Sequence, residues 1–192
     1  MTEITAEILP ATPERWADIV EVFEGCSYGR KCWCAYWYLP HAEFKAGWGE
    51  ANRAPLERLV KGGAEPGLIA YVDGLPAAWV SVAPRRRFDR LNRSKNFAAI
   101  DGEDVWAVNC FIVGKDFRRR GMMSMLAAAA AAFAIGKGAP GVEACPLEPG
   151  QKTGTGDLYV GTPSAFAAAG YVEVARPLPR RPIMRRMAKP LR

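Results

Sequence analysis

Three guanidiniums, a glycine and the start of a helix fall together in Arg118-Arg119-Arg120-Gly121-Met122-Met123-Ser124. Such a set can hold a phosphate or pyrophosphate. A helix N-terminus offers unpaired N–H groups and the positive end of its dipole, glycine lets a ligand approach the backbone, and arginine forks match phosphate oxygens. The residues just before, Val105-Trp106-Ala107-Val108-Asn109-Cys110-Phe111-Ile112-Val113, are β-rich and apolar on both faces, which predicts a central strand rather than an exposed edge. The residues after are alanine-rich, carry Leu126, Phe133 and Ile135, and stop at Gly136 and Gly138, which predicts a helix. Neither the Gly-x-x-x-x-Gly-Lys-Ser/Thr loop nor the Gly-x-Gly-x-x-Gly turn of the common nucleotide folds is present.

A second group with chemical potential is Cys26, Cys32, Cys34 and His41, three thiols and the only histidine within sixteen residues. A zinc site is one reading. The spacing lacks the Cys-x-x-Cys pairs of structural zinc sites, and a reduced thiol more often serves as a small buried hydrophobe, so no metal is expected. Pairing Cys32 with Cys34 would strain a ring closed over one intervening residue. Cys110 and Cys145 lack a histidine beside them in the sequence, so an acyl-cysteine route is not favoured and both read as core residues.

The strand, arginine loop and helix resemble the pyrophosphate-binding motif of the GNAT N-acetyltransferase superfamily, Gln/Arg-x-x-Gly-x-Gly/Ala. Arg118 and Gly121 match it, whereas Met123 stands where a small residue is usual. Ser164-Ala165-Phe166-Ala167-Ala168-Ala169-Gly170-Tyr171 is similar to the family's short late helix ending in Gly-Phe or Gly-Tyr before a strand. The resemblance covers roughly residues 4–187, with its specific motifs in the last half. It implies one GNAT domain over residues 1–192: an α/β fold with a central mixed, mostly antiparallel sheet flanked by helices.

That resemblance also implies an N-acyltransferase, moving an acetyl or other acyl group from acetyl-CoA to a primary amine of a small molecule or peptide by direct transfer in a ternary complex. The backbone of Phe111, Ile112 and Val113 would hold the pantetheine arm, and Arg118, Arg119, Arg120, Gly121, Met122, Met123 and Ser124 the pyrophosphate. The family's usual acid is a tyrosine four residues before the late glycine, a position occupied here by Phe166, so Tyr159 is the nearest substitute. Candidate bases are Glu103 and Glu143, acting directly or through water. Trp33, Tyr36 and Trp37, with their aromatic neighbours, either wall the acceptor pocket or pack in the core. A homodimer is a further expectation from the family.

Elements that position these residues can be read along the chain. Ile4 to Leu9 alternates as a first strand, and Thr12-Pro13-Glu14 opens a helix over 13–23. A helix is expected over 41–61, then two strands over 67–72 and 76–83 joined by the hairpin dipeptide Asp73-Gly74. A basic connection spans 84–101. After the alanine-rich helix come a short strand from 141, a Gly- and Pro-rich loop over 147–155 long enough to be mobile, and final strands over 171–175 and 183–187.

Composition narrows the classes. With 49% hydrophobic residues in 192, the chain can bury a core and is not disordered by default. Met1-Thr2-Glu3-Ile4 begins no basic, apolar leader, the longest apolar run is too short to span a bilayer, and the cysteine count of five is odd. A cytoplasmic protein is the expectation. The net charge of +6 is gathered in arginine runs that suit an anionic partner. Coenzyme A fits. Two rival readings are a silent acyl-CoA-binding or regulatory module, motivated by Phe166 and Met123, and a basic nucleic-acid-binding protein, weakened because its arginines fall in several separate elements.

Overall fold

In the computed structural model, which describes residues 5–189, seven strands form one sheet in the order β1-β2-β3-β4-β5-β7-β6. These are β1 (Glu7–Pro10), β2 (Gly67–Val72), β3 (Leu75–Pro84), β4 (Trp106–Val113), β5 (Gly141–Ala144), β6 (Val172–Leu178) and β7 (Arg181–Met187). All neighbours are antiparallel except β4 and β5. The expected start of the first strand at Ile4 lies outside the described residues. Asp73 and Gly74 both take positive φ, 50° and 77°, which suits the tight turn between β2 and β3.

Among the described residues eight α-helices flank the sheet: α1 (Trp16–Glu24), α2 (Gly29–Cys32), α3 (Ala35–Tyr38), α4 (His41–Ala46), α5 (Arg53–Lys61), α6 (Asp89–Asn92), α7 (Met122–Gly136) and α8 (Pro163–Ala168). The helix expected over 41–61 is in fact two, α4 and α5, because Gly47 and the turn after it interrupt the run; the buried Asn52 side chain donates there to the Phe44 carbonyl at 3.1 Å. The loop expected to be mobile is clasped by the β6–β7 turn: Arg180 donates to the Glu148 carbonyl at 2.6 Å and Arg181 to the Cys145 carbonyl at 2.8 Å.

Two cores lie on opposite faces of the sheet. On one, α7 and α8 cover Val80, Val108, Phe111 and Val142. On the other, α1, Trp33, Trp37 and Leu56 pack against Ile69, Trp79, Cys110 and Ile112. β4 supplies both because it is apolar on alternate sides. Its register shifts once, with Ser81 opposite Cys110 but Val82 opposite Val108, so Asn109 is the extra residue of a β-bulge.

Beneath the sheet's second half lies a buried ionic chain. The Glu143 carboxylate on β5 accepts from Arg85 and, at 2.7 Å, from Arg185 on β7; Arg185 also donates to Asp101. Glu143 is 1% exposed. The Arg185 guanidinium holds the Asp101 carboxyl below its usual range.

Candidate active site

The parallel pairing of β4 with β5 is short. It joins Trp106, Ala107 and Val108 to Val142, Glu143 and Ala144 and then ends, leaving β4 from Asn109 to Val113 without a strand on that side. Gly114 donates to the Ala77 carbonyl on β3 at 2.9 Å. Strand alternation therefore turns the N–H and C=O groups of Phe111 and Val113 away from β3 and into the gap.

That gap opens into a cavity of about 630 Å³. Its lining brings together Phe111, Ile112 and Val113 from β4, Arg118, Arg119 and Gly121 from the following loop, Met122, Met123 and Ser124 from α7, and Tyr159. Arg120 is exposed and outside this lining. Two loop residues adopt positive φ, Arg119 at 60° and Gly121 at 76°, and at Gly121 an added Cβ would meet open space within the cleft rather than protein. The alternation curls the loop into a concavity of the type that binds anions. Ser124 and Met125 donate to the Gly121 carbonyl at 3.0 and 3.2 Å, leaving the N–H groups of Met122 and Met123 at the open end of a fifteen-residue helix. Those N–H groups could hold a phosphate through the backbone alone, and the methionine at 123 lines the same cavity. Arg118 donates Nε to the Val113 carbonyl at 3.0 Å and so ties the loop to the strand.

Tyr159 sits in a 3₁₀ turn, Thr155–Val160, beside the gap. Its ring packs edge-on to Tyr36, centroids 6.4 Å apart, and its hydroxyl has no protein partner among the described residues. Burial, with smaller contributions from Tyr36 and Cys110, pushes its phenol well above the ordinary tyrosine range. The group is therefore a neutral O–H that can donate. Phe166, by contrast, is fully buried between Phe111 and Tyr171, with ring centroids at 5.7 and 5.0 Å.

The carboxylates expected as bases lie elsewhere. Glu103 is exposed in the loop before β4, and Glu143 is buried between Arg85 and Arg185, where its oxygens are already committed. No carboxylate lines the cavity among the described residues. Of the aromatic trio, Trp33 and Trp37 belong to the core, Trp33 stacked on Phe23 at 4.8 Å and 1°; only Tyr36 is partly exposed, and it touches Tyr159.

Cys32, Cys34, Cys110 and Cys145 are buried in the cores, the role of small hydrophobes that the sequence suggests for reduced thiols. Cys26, Cys32, Cys34 and Cys110 all line the cavity, whereas His41 borders a different one. Trp33 and Cys34 are consecutive non-glycine residues at positive φ, 49° and 54°, and this kink between α2 and α3 turns the Cys34 thiol toward Cys110. Desolvation pushes the Cys32 thiol up to about 12, and the Cys34 sulfur together with burial raises Cys110, so the Cys32 and Cys110 thiols stay neutral. A strained backbone leaves no periodic signal in a sequence.

The arginine runs are largely partnered inside the chain. Arg85 and Arg185 hold Glu143, Arg176 pairs with Glu173 and Glu148, and Arg180 and Arg181 bind loop carbonyls.

The model of the Acetyltransferase (GNAT) family matches residues 30–152, more than half of the chain. No curated protein matches. Among solved structures, the GNAT domain of S. lividans PAT is similar over 95% of this chain and 90% of its own, at 20% identity and a TM-score of 0.56. The PaiA N-acetyltransferase from Thermoplasma acidophilum, solved with coenzyme A, is similar over 96% and 99%, at 11% identity and 0.50. Aminoglycoside acetyltransferase AAC(6')-Ib, solved with coenzyme A and kanamycin, is similar over 96% and 95%, at 12% identity and 0.52. At these identities the likeness is one of fold, and the fold is the mixed, mostly antiparallel sheet of the GNAT architecture.

Proposed function

The chain belongs to the GNAT acetyltransferase family, and from that premise we propose that it transfers an acetyl or other acyl group from acetyl-CoA to a primary amine of a small molecule or peptide, by direct transfer in a ternary complex. The observation that carries this reading is the single cleft joining the unpaired edge of β4 to the N-terminus of α7. An extended pantetheine arm fits the first and a pyrophosphate the second.

Acetyl-CoA supplies the activated thioester. The Phe111 and Val113 backbone groups orient the arm beside the bulge at Asn109, and the Met122 and Met123 N–H groups, with Arg119, hold the phosphates. Tyr159 donates the proton that the leaving thiolate takes up and regains one from the solvent to which the amine has released its own. With no carboxylate in the cleft lining among the described residues, the amine loses its proton to water. Positioning supplies most of the acceleration. Five free cysteines suit a reducing, cytoplasmic setting, and among the described residues no helix is long and apolar enough to cross a membrane.

Calorimetry with acetyl-CoA tests the donor half. A saturable heat with one site per chain is expected, and no binding at roughly 1 mM to folded protein sinks the reading. Gly121→Val should weaken acetyl-CoA at least tenfold, because its branched side chain enters the phosphate concavity and disfavours the 76° φ. Equal affinity in the variant would remove the phosphate from this loop.

A second reading, an acyl-CoA-binding module without turnover, draws on the buried Phe166 and the carboxylate-free lining. Thiol release with a broad amine panel separates the two. Sustained release excludes the silent module.

A further inference from the structure

Beside the cofactor cleft lies a second cavity, of about 420 Å³, lined by Tyr36, Leu39, Pro40, His41, Asp89, Arg90, Arg93 and Ser94. The Tyr36 ring borders this cavity while Tyr159, packed edge-on against it, borders the cofactor cleft. The two spaces are thus separated by one aromatic pair.

Arg90 is the unusual residue here. Its guanidinium lies over the Tyr36 ring, 3.9 Å from the centroid, held by a 3.4 Å contact to the Leu39 carbonyl and another to His41 Nδ1. Its Nε is buried without a partner, and no carboxylate pairs with it among the described residues. A partly desolvated guanidinium without a counter-ion is costly, and the fork it offers matches a carboxylate. The charge count sets the valence of the guest. Arg93 is paired with Asp89 at 3.4 Å, so among the described residues that line this cavity Arg90 is left as the uncompensated cation, a single charge that balances a monoanion.

We infer that this cavity binds the carboxylate of the acceptor, so that the substrate is an amino acid whose reactive amine and carboxylate stand at opposite ends of an aliphatic spacer. The inference rests on the acetyl-transfer reading, which places the amine near Tyr159. The Tyr36 ring stands between that point and Arg90. An α-amino group shares one carbon with its carboxylate and cannot reach both places; an ω-amino group or a lysine-type side chain can, with its methylenes lying along the Tyr36 edge.

The test compares 6-aminohexanoate with hexylamine, chains of equal length that differ in the carboxylate, by thiol release from acetyl-CoA in wild type, Arg90→Ala and Arg90→Lys. Wild type should favour 6-aminohexanoate by at least tenfold in kcat/KM. Arg90→Ala should cut that ratio at least tenfold, chiefly through KM, and Arg90→Lys, which keeps the charge but loses the fork, should fall between. Folding of each variant is read by its melting temperature, and Arg90→Lys carries the test if the alanine variant unfolds. Equal use of the two amines, a preference that survives both substitutions, or turnover of neither while acetyl-CoA binds, overturns the inference and leaves the donor site standing. Absence of acetyl-CoA binding in the calorimetric titration overturns both.

Discussion

Glu143→Ala lowers the stability of the folded chain by about 3–5 kcal/mol, the cost of removing one partner from a buried ion pair. Glu143 is 1% exposed and sits between Arg85 and Arg185, both nearly as buried. Without the carboxylate, Arg185 keeps Asp101 and Arg85 keeps only the Phe97 carbonyl. For a chain of this size the loss corresponds to a fall of about 6–20 °C in melting temperature. Glu143→Gln keeps an acceptor in the same volume and should fall between. Turnover per folded molecule separates this structural role from that of a base: within about twofold of wild type for the glutamine variant if Glu143 only holds β5 to β7, down by about a hundredfold or more if it takes the amine's proton. A variant that melts like wild type would show that the ionic chain contributes little.

Tyr159→Phe should reduce kcat by about 10²- to 10⁴-fold, the usual range for loss of a positioned proton donor. The hydroxyl has no protein partner among the described residues, so its removal should move the melting temperature little, and acetyl-CoA affinity should change far less than turnover. Retention of half the wild-type rate would take Tyr159 out of the chemistry.

The same residue sets a pH dependence. Burial pushes the Tyr159 phenol upward, so the donor stays protonated past pH ~10, the ordinary tyrosine value. The wild-type kcat should therefore show no alkaline fall from this group below about pH 10. Tyr171, whose hydroxyl donates to the Ala127 carbonyl at 3.2 Å, is raised as well, again chiefly by burial. A phenol with a raised folded pKa contributes stability that is complete below the unfolded value and is lost as pH climbs toward the folded one. Denaturant midpoints should be flat across neutral pH on this account and drop above about pH 10; a midpoint unchanged at higher pH would contradict the burial of these hydroxyls.

Much of the fold could be read from local pattern. Val105 to Val113 is apolar on both faces and is a central strand, Asp73-Gly74 turns a hairpin, Thr162 caps α8 by accepting from the Ala165 N–H at 3.3 Å, and Arg118 to Ser124 carries strand into helix. Each of these depends on neighbours within a few residues, where propensity, turn chemistry and capping act. The break in the helix expected over 41–61 had a local signal in Gly47 and Gly49, the same spacing as the Gly136 and Gly138 stop, and the turn there is held by the Asn52 side chain reaching back to Phe44.

What the sequence determined by itself was the run of strand, arginine loop and helix start along the cleft, because the unpaired N–H groups of a helix start are a property of contiguous backbone. What the tertiary structure alone decided was the meaning of single side chains. Glu143 came to lie between two buried arginines when β5 met β7, Trp33 and Trp37 went to the core while Tyr36 met Tyr159, Cys110 joined the thiols of Cys26, Cys32 and Cys34 along one cavity, and Arg90 was left without a counter-ion among the described residues. Burial, desolvation and charge pairing depend on which elements come to lie together, and residues far apart in the chain carry no local mark of it.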